Sequence, residues 1–254
     1  MDGDYPILEF DPSHKAIIEP GRIVEAMDVP EHCVLCFFHD VVEQIRGRPE
    51  ARLLSERRWE CGAWPLVEIA VGGRRLAVFH SPVGAPLAVG MFEELIALGC
   101  RKFIACGGAG VLDREVAVGH ILVPSVAVRD EGTSYHYLAP SREVAASPQA
   151  VAAIEQTLRK HGVDYLVVKT WTTDAPYRET PGMVKRRRAQ GCLSVEMEAA
   201  AFFAAAQFRG VPFGQILYAG DDVSGTDWDT RDWWSRGSVR EKVFGLAAEA
   251  CLML

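Results

Sequence analysis

The sequence predicts an α/β layered fold in which a β-sheet lies buried between helices. Two observations carry this. Apolar segments of strand-like and helix-like period alternate along all 254 residues, and no Pro/Gly/Ser-rich linker or internal repeat interrupts them. The composition, 49% hydrophobic and 24% charged, is that of a globular chain long enough to bury a full core. One domain, residues 1–254, is the simplest organisation.

In chain order, strands are expected at Ala16–Ile18 and Cys33–Phe38, where β-branched and apolar residues run together. Leu66–Val71 and Leu76–Phe79 flank Gly72-Gly73 and read as a hairpin. Pro86–Leu98 is apolar at helical spacing, with proline at its start. Phe103–Cys106 and His120–Arg129 read as strands, and Pro148–His161, followed by Gly162, as a helix. Tyr165–Thr170 is another strand, and a short helix follows Pro181-Gly182. Glu196–Arg209, closed by Gly210, is helical; Phe213–Ala219 is a buried strand, and Val239–Met253 the last helix. In such folds ligands sit beyond the ends of strands, in the loops leading to helices.

Charge narrows the function classes. With 27 Lys+Arg against 34 Asp+Glu the net charge is −7, which argues against nucleic-acid binding through phosphate contacts but leaves a small anionic ligand open. The N-terminus, Met1-Asp2-Gly3-Asp4-Tyr5, lacks a basic and apolar signal, and Ala199–Ala206 is far shorter than the roughly 20 residues that span a bilayer. A cytoplasmic protein with no membrane partner is expected. Seven cysteines, an odd number, read as free thiols in a reducing compartment.

Five motifs stand out. Cys33-Val34-Leu35-Cys36, with His32 and His39, has the look of half a metal site. Strand positions i and i+3 face opposite sides, however, and no second cysteine pair follows, so buried thiols and no metal are expected. Lys185-Arg186-Arg187-Arg188 reads as a solvated cation run suited to a helix C-terminus. Cys106-Gly107-Gly108-Ala109-Gly110 reads as a glycine loop after a strand, either an anion or ribose cradle or a tight turn. Ser194-Val195-Glu196-Met197-Glu198 places two carboxylates at a strand-to-helix junction; helix-dipole complementarity accounts for one of them. Gly220-Asp221-Asp222 closes a buried strand, where aspartate serves equally as acid or as turn former.

Taken together, the glycine segment Cys106–Leu112, Val118–Val123, Val128–Tyr137, Val195-Glu196-Met197-Glu198-Ala199-Ala200 and Gly220-Asp221 resemble the nucleoside phosphorylase family, in its uridine phosphorylase, hexameric purine nucleoside phosphorylase and nucleosidase branch. The resemblance runs from about Pro20-Gly21 to the last helix. It implies a central mixed, partly barrel-like β-sheet flanked by helices, and cleavage of a nucleoside's N-glycosidic bond through an oxocarbenium-like ribose. It assigns Glu198, Met197 and Glu196 to the ribose, Tyr177, Pro176 and Gly108 to the base, and Asp221 to general acid help at purine N7, with Asp222 as alternative. Arg236 falls near the arginine that joins this acid in purine-cleaving relatives.

The phosphate site departs from the family. Pro20-Gly21 remains, but Glu25 and Ala105 stand where phosphorolytic relatives carry arginines, and Gly108 where they carry a hydroxyl. Gly21, Gly84 and Gly107 are left as backbone contacts, and Arg178, Arg22, or Arg57 or Arg58 of a neighbouring subunit as substitute cations. The resemblance thus implies a purine nucleoside phosphorylase of purine salvage, with inorganic phosphate as co-substrate, no other cofactor, and a dimeric or hexameric homo-oligomer. A nucleosidase using water and a noncatalytic nucleoside- or base-binding protein are the alternatives.

Overall fold

A computed structural model describes residues 5–254; residues 1–4, part of the segment read as lacking a signal, lie outside the described residues. β1 (His32–Cys36) lies between β4 (Arg74–His80) and β5 (Lys102–Val111), and all three are parallel. β2 (Arg52–Trp59) and β3 (Gly62–Val71) continue the sheet outward from β4 as antiparallel strands. Val71 and Arg74 pair across Gly72-Gly73, whose φ values of +56° and +76° suit a tight hairpin turn.

A second parallel set joins the first. β6 (Ile121–Asp130), β8 (Tyr165–Thr173) and β9 (Cys192–Glu196) run side by side. β9 pairs antiparallel with β5, and β6 antiparallel with β10 (Phe213–Asp222), which itself runs parallel to β5. The circuit β5–β9–β8–β6–β10 therefore closes on itself as a five-strand barrel, with β1, β4, β3 and β2 extending from it as an open arm. β7 (Glu143–Ala145) pairs with β6. This is the mixed, partly barrel-like sheet that the resemblance implied.

Helices cover both faces. α2 (Ala85–Leu98) and α5 (Ala199–Arg209) pack on one side; α1 (His39–Arg46), α3 (Pro148–Lys160) and α6 (Gly237–Leu252) pack on the other. The first eight residues of α5 are all buried, as a helix apolar on every side requires. Phe202 stacks on Phe213 at 4.7 Å, and Phe92 meets Phe103 edge-on at 4.8 Å. Each such buried ring is worth roughly 1.5–3 kcal/mol. The barrel interior is filled by Ala109, Val111, Leu122, Val168, Leu217 and Ala219, small enough to fit inside five strands.

Several expectations need correction. Ala16–Ile18 forms no strand: Ile17 and Ile18 are 91% and 71% exposed, and no neighbouring strand offers a ladder. The glycine segment is not a loop, because β5 continues through it to Val111 between β10 and β9. A Cβ at Gly107 would stand 3.2 Å from Phe37, and one at Gly110 3.0 Å from Val195, so close packing calls for these glycines. α1, β2 and β7 were not anticipated, and β9 was legible only through the junction at its end. The cation run does close a helix, α4 (Pro181–Ala189), yet Arg187 is buried against Asp130 at 2.6 Å and over the Trp171 ring. Cys33 and Cys36 are fully buried, and all seven cysteines are free.

Candidate active site

The Glu196-Met197-Glu198 segment leaves β9 and enters α5, and its two carboxylates have different surroundings. Glu196 Oε2 accepts the backbone N–H groups of Glu198 and Ala199 at 2.7 and 2.6 Å, and Oε1 accepts the Thr172 hydroxyl at 2.6 Å. Thr172 in turn accepts the Ala200 N–H. Both Glu196 oxygens are thus used in holding the α5 N-terminus, where a carboxylate complements the helix dipole. Burial raises its pKa, and these hydrogen bonds pull it back down.

Glu198 faces the other way. Its Oε1 accepts the Gly84 N–H at 2.6 Å, which ties the end of β9 to the start of α2. Gly84 holds φ at +101°, a conformation that L side chains rarely adopt, and so aims its N–H across this gap. Burial, and then the charge of Glu196, hold the Glu198 carboxyl well above the ordinary carboxylate range. Met197, between the two glutamates, is half-buried.

The aspartates at the end of β10 also divide their roles. The pairing with β5 shifts register between Ala219 and Asp222, an irregularity of the kind that re-aims side chains. Asp222 is buried, pairs with Arg231 at 2.8 Å and accepts the Ser224 N–H. Asp221 instead accepts the Trp228 indole N–H at 2.7 Å and lines a cavity of about 410 Å³. Pro176, Tyr177, Glu179 and Trp228 share that cavity with it. Gly110, the β5 partner of Val195, sits beside Asp221: a Cβ there would stand 3.5 Å from Oδ1. The ends of β5, β9 and β10 therefore gather Asp221 close to the strand that delivers Met197 and Glu198.

Other sequence candidates are not brought together here. Gly108 packs on the Tyr218 ring and does not line that cavity. Arg236 precedes α6 and donates to the Arg231 carbonyl at 3.0 Å rather than to Asp221. Gly21 and Glu25 line a separate groove with Glu93, Arg101 and Arg209, along the C-terminal half of α2. Ala105 is fully buried in the core against α2 and α5. Among the substitute cations Arg57 is held by Glu94 at 2.7 Å, Arg58 by Glu56 at 2.8 Å, and Arg22 donates to the Ile17 carbonyl. Arg178 lies exposed at the end of the Pro176–Arg178 turn, next to the cavity-lining Glu179.

Two residues at the cavity escaped the sequence reading. Trp228 was visible only as one of several tryptophans in a loop without helical or strand period. Glu179 carried no pattern at all; burial, and then Asp221, push its pKa up to about 7. Among the described residues no group of three or more His, Cys, Asp or Glu is placed to hold a metal ion, and no helix is long and apolar enough to cross a membrane.

A closed five-strand barrel flanked by helices, with acidic residues where its strands end, defines a nucleoside phosphorylase-like fold. The phosphorylase superfamily model matches residues 31–250, and the chain belongs to that family. It is 27% identical over 199 residues to a guanosine phosphorylase of Halorubrum lacusprofundi, covering 78% of this chain and 81% of that one. It is 24% identical over 160 residues to a uridine phosphorylase of Haemophilus influenzae, covering 58% of this chain and 64% of that one. Among solved structures, a purine nucleoside phosphorylase from Toxoplasma gondii in complex with immucillin-H superposes with TM-score 0.77 at 19% identity, over 88% of this chain and 91% of that one. An AMP nucleosidase from Bacteroides thetaiotaomicron superposes with TM-score 0.74 at 21% identity, over 92% and 96% of the two chains.

Proposed function

We propose that the protein cleaves the N-glycosidic bond of a purine nucleoside by phosphorolysis, releasing free base and ribose 1-phosphate. The observation that carries this is that Asp221 lines a cavity of about 410 Å³, roomy enough for a base, beside the strand that delivers Met197 and Glu198. As the C1′–N9 bond breaks, its electron pair moves onto the purine, and Asp221 supplies a proton or hydrogen bond at N7. Such general acid help is worth about 10²–10⁴-fold. Glu198 accepts the ribose hydroxyls while Met197 lays its thioether against the sugar. A phosphate oxygen then bonds to C1′. The similarity to a guanosine phosphorylase supports a purine, since Asp221 has an acceptor to address at N7 that a pyrimidine lacks.

On this reading Arg178 is the cation that remains for phosphate, which is the only co-substrate; no other cofactor takes part. The protein acts in purine salvage in the cytoplasm, as a homo-oligomer. A second reading, hydrolysis by water, is favoured by one observation: Arg57, Arg58 and Arg22 are engaged elsewhere in the protomer, and Ala105 is sealed in the core. The test is base release from guanosine, inosine, adenosine and uridine, with and without phosphate, with chromatography of the sugar product. Ribose 1-phosphate formed only with phosphate supports phosphorolysis. Free ribose at equal rate in both conditions replaces it with hydrolysis, and no base release from any nucleoside overturns both.

A further inference from the structure

We infer that the protein carries a second anion site, for a phosphoryl group, where Arg114 and Arg188 converge on the loop after β10. The site does not depend on which reaction the chain performs.

Three elements meet there. Arg114 lies in the turn after β5, Arg188 in the last turn of α4, and Ser224, Gly225, Thr226 and Asp227 in the loop after β10; together they line a cavity of about 420 Å³. Gly225, Thr226 and Asp227 form a wall shared with the neighbouring cavity that holds Asp221. Glu198, Met197, Gly84 and Arg178 do not line it, so it is separate from the groups assigned to ribose and to co-substrate phosphate.

Unpaired charge sets this cavity apart. Arg187, beside Arg188 in the chain, is held by Asp130 at 2.6 Å, and Arg231 is held by Asp222 at 2.8 Å. Arg114 and Arg188 are both exposed, and among the described residues neither guanidinium has a carboxylate within ion-pair distance or a hydrogen bond to the chain. The Arg114 carbonyl accepts the Arg231 guanidinium at 3.3 Å, which ties down the turn and leaves the Arg114 side chain free. Asp227 is the one acidic residue in the lining, and its carboxylate already accepts the Thr226 hydroxyl at 3.2 Å. Two arginines against one aspartate leave the lining at +1 in a chain of net charge −7. Like charges brought together repel, and an anion between them turns that repulsion into attraction.

The donors indicate the class of anion. Each guanidinium presents a planar fork that matches two oxygens. The Ser224 hydroxyl and the backbone N–H groups of Gly225, Thr226 and Asp227 make no hydrogen bond within the chain among the described residues. That is more than the two oxygens of a carboxylate accept, whereas a tetrahedral phosphoryl group offers three oxygens in different directions. The loop itself is pinned at its base, where Asp222 and Asp229 exchange backbone hydrogen bonds of 2.8 and 3.1 Å. Trp228 stands inside this closed loop and donates its indole N–H to Asp221, so an anion seated on the loop changes the surroundings of a tryptophan.

The experiment uses Arg178→Ala as background, because that substitution removes the cation assigned to co-substrate phosphate. Inorganic phosphate and glycerol 3-phosphate are titrated separately, with calorimetry for affinity and tryptophan fluorescence for the loop. Arg178→Ala is expected to bind a phosphoryl anion with a change in fluorescence. Adding Arg114→Gln and Arg188→Gln is expected to weaken that binding at least tenfold, and Arg188→Glu alone to abolish it, with circular dichroism unchanged. Tighter glycerol 3-phosphate assigns the site to a phosphate monoester and tighter inorganic phosphate to the free ion; either supports the site. No binding in Arg178→Ala, or equal affinity once Arg114 and Arg188 are replaced in a folded protein, overturns the inference.

Discussion

Glu198→Gln is the substitution that separates chemistry from folding most cleanly. The carboxylate is 5% exposed, and its Oε1 accepts the Gly84 N–H at 2.6 Å. Glutamine keeps an oxygen in that place and nearly the same volume, so the Gly84 amide retains its acceptor. The expected change in unfolding free energy is below about 1 kcal/mol. Binding of ribose is another matter: burial holds the free carboxyl protonated up to about 8, and on the proposed reading it is the ionised form, which two ribose hydroxyls would stabilise, that an amide cannot supply. Two charge-assisted hydrogen bonds of about 1.5–3 kcal/mol each total about 3–6 kcal/mol, or roughly 10²–10⁴ in kcat/KM. Urea unfolding reads the first quantity, and base release from guanosine and 2′-deoxyguanosine reads the second. Wild type should penalise the deoxy substrate, which lacks one of the two donors, and the variant should penalise it less. A folded Glu198→Gln enzyme that keeps kcat/KM within fivefold of wild type, with the same deoxy penalty, would refute the assignment.

Three further outcomes follow from the same geometry. Asp221→Asn should lower kcat by about 10²–10⁴-fold with the fold intact. Arg231→Met should instead show its loss in thermal unfolding, on the order of 3 kcal/mol, because it strands the buried Asp222 carboxylate. Gly84→Ala forces a side chain into φ +101° and should cost at least about 1–2 kcal/mol, with activity falling as the N–H swings away from Glu198. Stability should also depend on pH in a defined sense. Glu179, Glu196 and Glu198 hold their protons more tightly folded than unfolded, so their contribution is complete below their ordinary value of 4.5 and is lost as pH rises through about 7 for Glu179 and Glu196 and about 8 for Glu198. A melting temperature measured from pH 5 to pH 8.5 should decline in wild type and decline less in a Glu179→Gln/Glu198→Gln double variant.

Where side chains face a continuous core, the sequence carried their periodicity plainly; where tertiary partners decide, it did not. Phe213–Ala219 and Ala199–Ala206 are buried on all sides, and their apolar runs could be read directly. Ala16–Ile18 has the same local composition but lacks a neighbouring strand, and β-propensity without a partner forms nothing. β2 failed in the opposite sense. Its sequence, Arg52-Leu53-Leu54-Ser55-Glu56-Arg57-Arg58-Trp59, is rich in charge because it lies at the outer edge of the arm, paired with β3 alone. Arg187 illustrates the same limit at one residue. Nothing in Lys185–Arg188 marks it from its neighbours, and only the distant Asp130 and Trp171 draw it inside.

The site divides along a similar line, between groups fixed by the local chain and groups set by long-range assembly. Glu198 and Asp221 sit where buried strands end, and backbone geometry delivers them there. Glu196 shares that motif but turns onto Thr172 and the α5 N-terminus, so the pair splits into one carboxylate that builds the helix and one that meets the gap at Gly84. The glycines of β5 mislead for a physical reason: glycine in sequence signals a turn, whereas here it makes room for Phe37, Tyr218 and Val195. The anion end is the least legible. Replacing two arginines by Glu25 and Ala105 removes several charge-assisted bonds of about 1.5–3 kcal/mol each, a deficit that backbone amides alone do not restore. Arg178 lies exposed in the turn after β8, and on the proposed reading it is the guanidinium left for phosphate. Arg178→Ala should then raise the KM for phosphate at least tenfold, the loss of one charge-assisted contact of about 1.5–3 kcal/mol. Phosphate saturation curves for wild type and Arg178→Ala, measured side by side, would refute this assignment if the KM for phosphate stayed unchanged.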